Sequence, residues 1–163
     1  MRHLKRLDPL KLVWVAIALT AVLSGCSGES DQPIDSVKIN VVGNDYLFRF
    51  QYPGQDQKID TDDDRYGAKN LYVPENAVVL VRLDSHDFVY TLEIPELDLY
   101  EAVIPDFSFE KKFVAKSVGS HDLLGTQMCG YDHPDLIGKL IVQAPAEFRR
   151  TMKRLEKSPA KTK

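Results

Sequence analysis

The feature that most restricts the fold is a series of short, strand-like segments separated by Gly, Pro and Asp. Residues 37–41 alternate apolar and polar side chains, and residues 46–52 are rich in aromatic side chains before a Pro-Gly turn signal. No stretch before Pro145 has a convincing helical period. Many short strands between turn residues predict an all-β sandwich or barrel. The other strand candidates are residues 71–73, 78–83, 88–94, 100–104, 107–114 and 140–143, with a polar loop over 55–69.

One short helix is expected after Pro145. Phe148, Met152 and Leu155 are spaced by four and three, which is typical of the apolar face of an amphipathic helix. The positions between them are basic: Arg149, Arg150, Lys153 and Arg154.

The N-terminus predicts export. Basic residues precede an apolar stretch from Leu12 to Leu23, and its dozen or so residues suit a signal peptide but fall short of the ~20 that a membrane-spanning helix needs. The following sequence, Leu-Ser-Gly-Cys at 23–26, resembles the lipobox of bacterial lipoproteins, which implies cleavage before Cys26 and a lipid on that residue. A plain signal peptide or a short uncleaved anchor are the alternatives, and all three export the remaining chain.

The predicted organisation is a lipoprotein signal peptide over 1–26, a flexible spacer over 27–34, a β-domain over 35–146 and a basic helical tail over 147–163. Residues 27–146 carry 10 Lys and Arg side chains against 21 Asp and Glu, a formal charge of −11. Residues 147–163 carry seven against two, a charge of +5. An acidic body argues against a nucleic-acid partner and is compatible with a cationic protein partner.

The cysteines direct attention to one loop. If Cys26 carries lipid, Cys129 has no intramolecular partner, which is unusual in an oxidising compartment. Cys129 lies four residues before His133 between two predicted strands, and His86 follows the apolar strand 78–83. One thiolate and two imidazoles suit a mononuclear copper site. The alternative from these residues alone is an inert core thiol beside two ordinary surface histidines.

A longer series of motifs resembles the periplasmic domain of cytochrome c oxidase subunit II, from Asn44 to about Phe148. The matching segments are the aromatic strand ending Tyr-Pro-Gly at 52–54, Asn-Leu-Tyr-Val-Pro at 70–74, and the loop 125–136. The resemblance implies a cupredoxin-like Greek-key β-sandwich with a short C-terminal helix.

The same resemblance also predicts the metal site through its departures. The family loop reads Cys-x-Glu-x-Cys-Gly-x-x-His-x-x-Met and, with an upstream His, holds two coppers. Here the first Cys position is Gly125, the Glu position is Gln127 and the Met position is Leu136. A binuclear centre is therefore not expected. The remaining ligand set is His86, Cys129 and His133, and the axial position is either empty or held by an oxygen of Gln127.

The sequence thus predicts a lipid-anchored, periplasm-facing electron-transfer protein with one copper ion. Its expected partners are a redox protein or a membrane respiratory complex. No residues are evident for a chemical step on a small-molecule substrate, so an enzyme in its own right is not predicted. The alternatives are a metal-free subunit-II-like assembly module, a copper-delivery protein, and a site for another metal such as zinc.

Overall fold

The computed structural model describes residues 31–128 and 131–157, in which two β-sheets pack face to face beside one short helix. The all-β sandwich with a C-terminal helix is therefore confirmed. The elements are β1 Ser36–Asn44, β2 Leu47–Tyr52, β3 Arg65–Ala68, β4 Asn70–Pro74, β5 Val78–Ser85, β6 Tyr90–Ile94, β7 Leu99–Val103, β8 Phe109–Val114, β9 Gly119–Gln127, β10 Gly138–Gln143, α1 Pro145–Arg154 and β11 Glu156–Lys157. Two short 3₁₀ helices, Pro95–Leu97 and Pro134–Leu136, precede β7 and β10.

One sheet has the strand order β11-β3-β2-β1-β5-β8, and the other has the order β4-β10-β9-β6-β7. Most neighbouring strands are antiparallel, whereas β1 with β5 and β4 with β10 are parallel. The alternation of the sequence places one face of each strand inside. In β5, for example, Val79, Val81 and Leu83 are buried, while Arg82 lies outside. Burying such a side chain stabilises the fold by about 1.5–3 kcal/mol.

Three strands differ from the sequence expectation. Strand β3 lies inside the predicted loop 55–69, β9 extends through residues that were not assigned to a strand, and β11 follows directly after the helix. Strands β3 and β11 contain no buried residue, and in β9 only Leu123 and Gly125 are buried, so these segments carry little period-two signal of apolar side chains. The helix begins at Pro145, two residues before the predicted tail boundary.

The helix α1 closes one end of the sandwich. Phe148 and Thr151 are buried, and the backbone N–H of Leu155 donates to the carbonyl of Thr151 at its C-terminus. Arg149 donates a 2.7 Å hydrogen bond to the carbonyl of Gln32, which ties the chain entering the domain to the same end. None of the helices within the described ranges is long and apolar enough to cross a bilayer. The region formed by residues 31–37, 52–57, 61–64 and 145–157 is called the helix end.

The opposite end holds the predicted site. Strand β1 has nine residues, so it rises by roughly 27 Å away from the helix end. The turn after β1, the β5–β6 loop and the β9–β10 loop all meet there. This region, residues 44–47, 85–90 and 125–138, is called the ligand-loop end. Cys26, the signal segment and residues 158–163 lie outside the described residues, so the predicted lipidation and the domain boundaries stay predictions.

Candidate metal centre

The tight turn between β1 and β2 is the base of the ligand-loop end. Asp45 and Tyr46 both have positive φ, of 53° and 58°, as the two-residue type I′ hairpin requires. A tyrosine rarely adopts this conformation. The turn is held by outside partners: the N–H of Asp45 donates to the carboxylate of Asp87 at 2.6 Å, and that of Tyr46 donates to the Tyr90 hydroxyl at 3.2 Å. The fold therefore fixes the Tyr46 ring in one place.

Four rings surround the Tyr46 ring, and the five together form the aromatic cluster, defined as Tyr46, Phe88, Tyr90, Tyr131 and His133. The Tyr46 ring stacks on the His133 imidazole, with centroids 5.2 Å apart and planes inclined by 29°. It also lies 5.6 Å from Tyr131 and 5.3 Å from Phe88. The predicted ligand His133 thus packs against aromatic rings, which exclude water from that side of its imidazole.

His133 itself is positioned by the chain that follows it. Its side chain is 30% exposed, and its Nδ1 accepts a 3.3 Å hydrogen bond from the N–H of Asp135. This bond places the proton of the neutral imidazole on Nε2. Asp135 is in turn bound to Lys69, and the hydrogen bond and charge of Lys69 lower the pKa of that carboxyl group. The imidazole is therefore oriented but still accessible from solvent.

Cys129 and its neighbour Gly130 lie outside the described residues, but both flanks of that loop are placed. The N–H of Gln127 donates to the carbonyl of Tyr131 at 3.1 Å, which closes the loop. The N–H of Met128 donates to the carbonyl of Val89 in the β5–β6 loop. Gln127 is half-buried at the end of β9. The loop that carries Cys129 therefore begins and ends beside the aromatic cluster.

His86 has different surroundings. It follows β5, and its backbone N–H donates to the carbonyl of Gly43 at 2.9 Å. Its side chain is exposed and borders a hollow with Asp84 and Asp106 on the outer side of the six-stranded sheet. Within the described residues its ring makes no hydrogen bond, ion pair or ring contact, and none joins it to His133. Its role as a third ligand stays a prediction.

Asp87, which the sequence reasoning did not single out, faces the aromatic cluster instead. The carboxylate accepts a 2.8 Å hydrogen bond from the Tyr90 hydroxyl in addition to the bond from Asp45. Burial alone would raise the pKa of Asp87, but these hydrogen bonds outweigh it and lower the pKa. Strand alternation is the signal that could have found it, because residues 83, 85 and 87 share the inward face while 84 and 86 share the outer one.

Gly125 stands where the family has its first cysteine, and neighbouring atoms occupy the space that a side chain would need there. Gly125 is buried in β9, and a Cβ atom added there would lie 2.5 Å from the Phe48 ring and 2.9 Å from the carbonyl oxygen of Leu136. Leu136, at the family's Met position, is itself 1% exposed and part of the core. A thiolate at position 125 does not fit this packing, so the described interior does not fit a centre bridged by two thiolates.

The described side chains also lack a complete ligand set. Among residues 31–128 and 131–157, no three His, Asp, Glu or Cys side chains converge closely enough to hold a metal ion. Cys129 lies outside that part of the chain. A mononuclear site therefore depends on Cys129 together with His133, which lies at the right end of the fold, and on a third donor.

No protein-family model matches the chain. Cytochrome c oxidase subunit 2 of Thermostichus vulcanus is 23% identical over 124 residues, covering 76% of this chain and 35% of that protein. The alternative cytochrome c oxidase subunit 2 of Bradyrhizobium diazoefficiens is 22% identical over 138 residues, covering 71% of this chain and 50% of that protein. The chain thus spans half or less of the length of these curated relatives.

Solved structures agree on the fold. The periplasmic domain of subunit II of cytochrome oxidase from Bradyrhizobium japonicum gives a TM-score of 0.61 at 19% identity, covering 74% of this chain and 94% of that one. A chain of the mixed disulfide between a thioredoxin-like protein and subunit II gives 0.60 at 20% identity, with coverages of 76% and 94%. A chain of a heme-copper terminal oxidase dimer gives 0.51 at 15% identity, with coverages of 82% and 92%. The resemblance to the subunit II periplasmic domain and its cupredoxin-like fold is confirmed.

Proposed function

We propose that this chain is the periplasm-facing, subunit-II-like module of a membrane respiratory complex and that it passes electrons through a single copper ion. Cys129 and His133 are the proposed ligands from the loop, and His86 is the proposed third ligand. Gln127 is the candidate axial donor. Copper held by thiolate and imidazole exchanges one electron reversibly, which is the chemistry that such a module needs.

The packing around Gly125 is the observation that carries this proposal. Phe48 and the Leu136 backbone occupy the space that a second thiolate would need, while the residues on either side of Cys129 and Gly130 are hydrogen-bonded near the aromatic cluster. One of the two bridging donors is therefore absent, and the other, Cys129, belongs to the loop that also carries His133. This combination supports one copper ion rather than two.

The described residues would contribute order and shielding to this site. The stack with Tyr46 and the hydrogen bond from Asp135 hold the His133 ring in one orientation, which limits rearrangement when the charge of a bound ion changes. Tyr131, which contacts the same cluster and is 54% exposed, extends the ring contacts from His133 to the surface. That exposed edge would be the side on which a redox partner approaches.

Location and anchoring are part of the same proposal. The subunit II domains of similar fold are described as periplasmic, and the apolar N-terminal stretch with Cys26 favours export and a lipid anchor. We place the domain on the outer side of a bacterial membrane, held through that anchor. The oxidase that accepts or supplies the electrons is of the heme-copper type by analogy with the assembly of similar fold.

A second candidate is a metal-free assembly module of such a complex. It is favoured by the position of His86, which borders the outer-face hollow rather than the aromatic cluster. A copper-delivery protein is the third candidate, because thiolate and imidazole also bind Cu(I). These candidates differ in copper content and in redox behaviour, so one set of measurements separates them.

The test is to load residues 27–163 with Cu(II) and to measure copper content, visible absorption and the EPR spectrum. The described core packs within itself across both sheets, so this part is expected to fold alone. We expect one copper per chain with strong thiolate-to-copper absorption. Absence of stoichiometric, thiolate-bound copper in a folded domain would leave the metal-free module. Exclusive binding of Cu(I), with transfer to a chelating acceptor, would instead support delivery.

Variants identify the ligands. Cys129→Ser is expected to abolish the visible absorption and leave the fold intact, and His133→Ala and His86→Ala are expected to change or lose it. His121→Ala is the matched control, because this imidazole lies at the start of β9, where its Nε2 contacts the carbonyl of Ser117. If Cys129→Ser keeps the absorption, the ligand assignment is wrong. If only His86→Ala is silent, the third donor lies elsewhere.

A further inference from the structure

The Asp87 carboxylate joins three segments that meet at the ligand-loop end. Its Oδ2 accepts a hydrogen bond from the N–H of Asp45, in the turn between β1 and β2, at 2.6 Å. Its Oδ1 accepts from the Tyr90 hydroxyl at 2.8 Å and from the N–H of Phe88 at 2.7 Å. None of these three donors belongs to a proposed copper ligand. Any effect of Asp87 on the proposed site must therefore pass through the segments that it joins.

The turn between β1 and β2 depends on this carboxylate. Both central residues have positive φ, which an aspartate tolerates and a tyrosine rarely adopts. The N–H of Asp45 donates directly to Asp87, and the N–H of Tyr46 donates to the Tyr90 hydroxyl, which passes its own proton to Asp87. A backbone conformation of this kind persists only where the surrounding structure holds it. Both side-chain hydrogen bonds that hold this turn lead to one carboxylate.

The Tyr46 ring transmits this constraint to His133. It stacks on the imidazole with centroids 5.2 Å apart and planes inclined by 29°. Within the described residues, the other neighbours of the imidazole are the Tyr131 ring at 6.2 Å, which is 54% exposed as a residue, and Asp135. The hydrogen bond from the N–H of Asp135 restrains one ring atom and leaves the plane of the imidazole free to tilt. A stacked ring restrains the plane itself.

We infer that Asp87 is a positioning residue for His133 and acts on it through the β1–β2 turn and the Tyr46 ring. The carboxylate holds the turn, the turn presents the ring, and the ring sets the plane of the imidazole. Metal ligands are commonly oriented by groups that do not touch the metal. The use of this imidazole as a copper ligand rests on the proposed function, whereas its orientation does not.

NMR spectroscopy of residues 27–163, kept free of metal by a chelator, tests this inference. This part of the sequence contains three histidines: His86, His121 and His133. A His133→Gln variant identifies the imidazole signals of His133 by their disappearance. The ring current of a stacked tyrosine displaces the signals of the imidazole C–H protons, so Tyr46→Leu measures the displacement that corresponds to complete loss of the stack.

The decisive variant is Asp87→Ala. We expect it to move the His133 signals most of the way to their positions in Tyr46→Leu and to leave the His121 signals unchanged, because His121 lies at the start of β9 and contacts Ser117. A loss of structure throughout the domain would move both sets of signals, and circular dichroism checks that the variant is folded. Unchanged His133 signals in the folded variant would overturn the inference.

Two milder variants complete the test. Asp87→Asn keeps one acceptor oxygen but places an amide NH₂ group towards a second donor, so a smaller displacement in the same direction is expected. It decides the question if Asp87→Ala does not fold, since unmoved His133 signals in folded Asp87→Asn would also refute the inference. Asp106→Asn is the matched control, because it removes the same charge from an exposed position of positive φ, which asparagine tolerates.

Equal displacement of the His133 signals in Asp106→Asn and Asp87→Asn would attribute the effect to charge and contradict the proposed path through the turn. Copper is absent from every sample and copper loading is measured separately. Failure here therefore leaves the proposed function standing, and the reverse also holds.

Discussion

Tyr52 and Tyr90 lie at opposite ends of the same sandwich, and both are buried with a hydroxyl that accepts a backbone N–H. At the helix end, Tyr52 accepts from Tyr72 at 2.8 Å and packs edge-on to Phe148. At the ligand-loop end, Tyr90 accepts from Tyr46 at 3.2 Å and also donates to the carboxylate of Asp87. Burial raises the pKa of Tyr52 well above its ordinary value and raises that of Tyr90 to about 12.

The difference lies in what surrounds the two hydroxyls. The Tyr52 hydroxyl bonds to a backbone group of a neighbouring strand, and no charged side chain takes part in that bond. Around Tyr90 a carboxylate enters the network, and the nearby Phe88, Met128 and Tyr131 are 40%, 67% and 54% exposed. The ligand-loop end thus combines a fixed interior with an open aromatic edge. Exposed aromatic side chains of this kind are typical of a surface that binds a partner molecule.

The largest expected effect tests whether the interior of the ligand-loop end supports the fold. Leu136→Ala should lower the free energy of unfolding by about 3 kcal/mol, because it leaves a cavity in packed core. Leu136→Met, which restores the family's residue, should cost less than about 1.5 kcal/mol because the volume is conserved. Urea denaturation measures both. Equal stability of Leu136→Ala and the unmodified chain would show that this side chain is not part of the core.

The next effect concerns the filled cysteine position. Gly125→Cys should destabilise the fold by about 2 kcal/mol, since its Cβ would overlap the Phe48 ring. Combining it with Phe48→Leu should recover part of that loss by opening space. Urea midpoints and copper content are the measurements. A Gly125→Cys domain of unchanged stability that binds two coppers would contradict the packing argument for a single ion.

A matched pair compares the two ends directly. Tyr52→Phe should lower the free energy of unfolding by about 2 kcal/mol, because it leaves the N–H of Tyr72 unpaired in a buried strand. Tyr90→Phe should lower the free energy of unfolding by about 1 kcal/mol. The effect is smaller because the hydrogen bond from Tyr46 is longer and lies in a partly exposed turn, which is also hydrogen-bonded to Asp87 through Asp45. Reversed magnitudes in denaturation experiments would mean that the ligand-loop end is the more tightly closed one.

The smallest effect is a pH dependence at the helix end. Asp63 accepts hydrogen bonds from the Thr61 hydroxyl and from the N–H groups of Gln55 and Asp56, and the Thr61 bond is the main cause that lowers its pKa. A lowered pKa in the folded state stabilises the fold above the ordinary value of 3.8 and is lost as the pH falls through the folded value. Asp63→Asn should therefore lower the urea midpoint at pH 6, and the difference should disappear in acid once this carboxyl group is protonated in both the folded and the unfolded chain. A midpoint difference that persists in acid would assign it to another cause.

Local pattern predicted most of the scaffold. Strands such as β1 and β5 alternate strongly, and Phe148, Met152 and Leu155 have helical spacing, so their assignment needed no partner. Strand β3 was not predicted, because its Arg-Tyr-Gly-Ala sequence has no periodic apolar face. It is a strand because it pairs with β2. The same holds for β11, whose two residues are strand only because β3 is there.

The location of the candidate site was predicted in part, whereas its ligand set stays a prediction. The spacing of Cys129 and His133 and the substitution at Gly125 could be read from the chain, and His133 does lie at the ligand-loop end. The sequence did not show that Asp87 faces the aromatic cluster while His86 faces the outer side of the sheet. Adjacent residues after a strand point to opposite faces, and which face meets the ligand loop depends on how the two sheets pack. Tyr46 became part of the site because its turn is bound by Asp87 and Tyr90, which are more than 40 residues away.

The sequence by itself determined the all-β class, the amphipathic helix after Pro145, the charge asymmetry between body and tail, and the presence of Gly rather than Cys at position 125. Each of these is a property of residue type and spacing along the chain. Only the tertiary structure decided that position 125 has no room for a side chain, that the aromatic cluster closes on His133, and that α1 and the entering chain share one end. Those facts depend on contacts between residues distant in sequence, and such contacts exist only once the two sheets have packed.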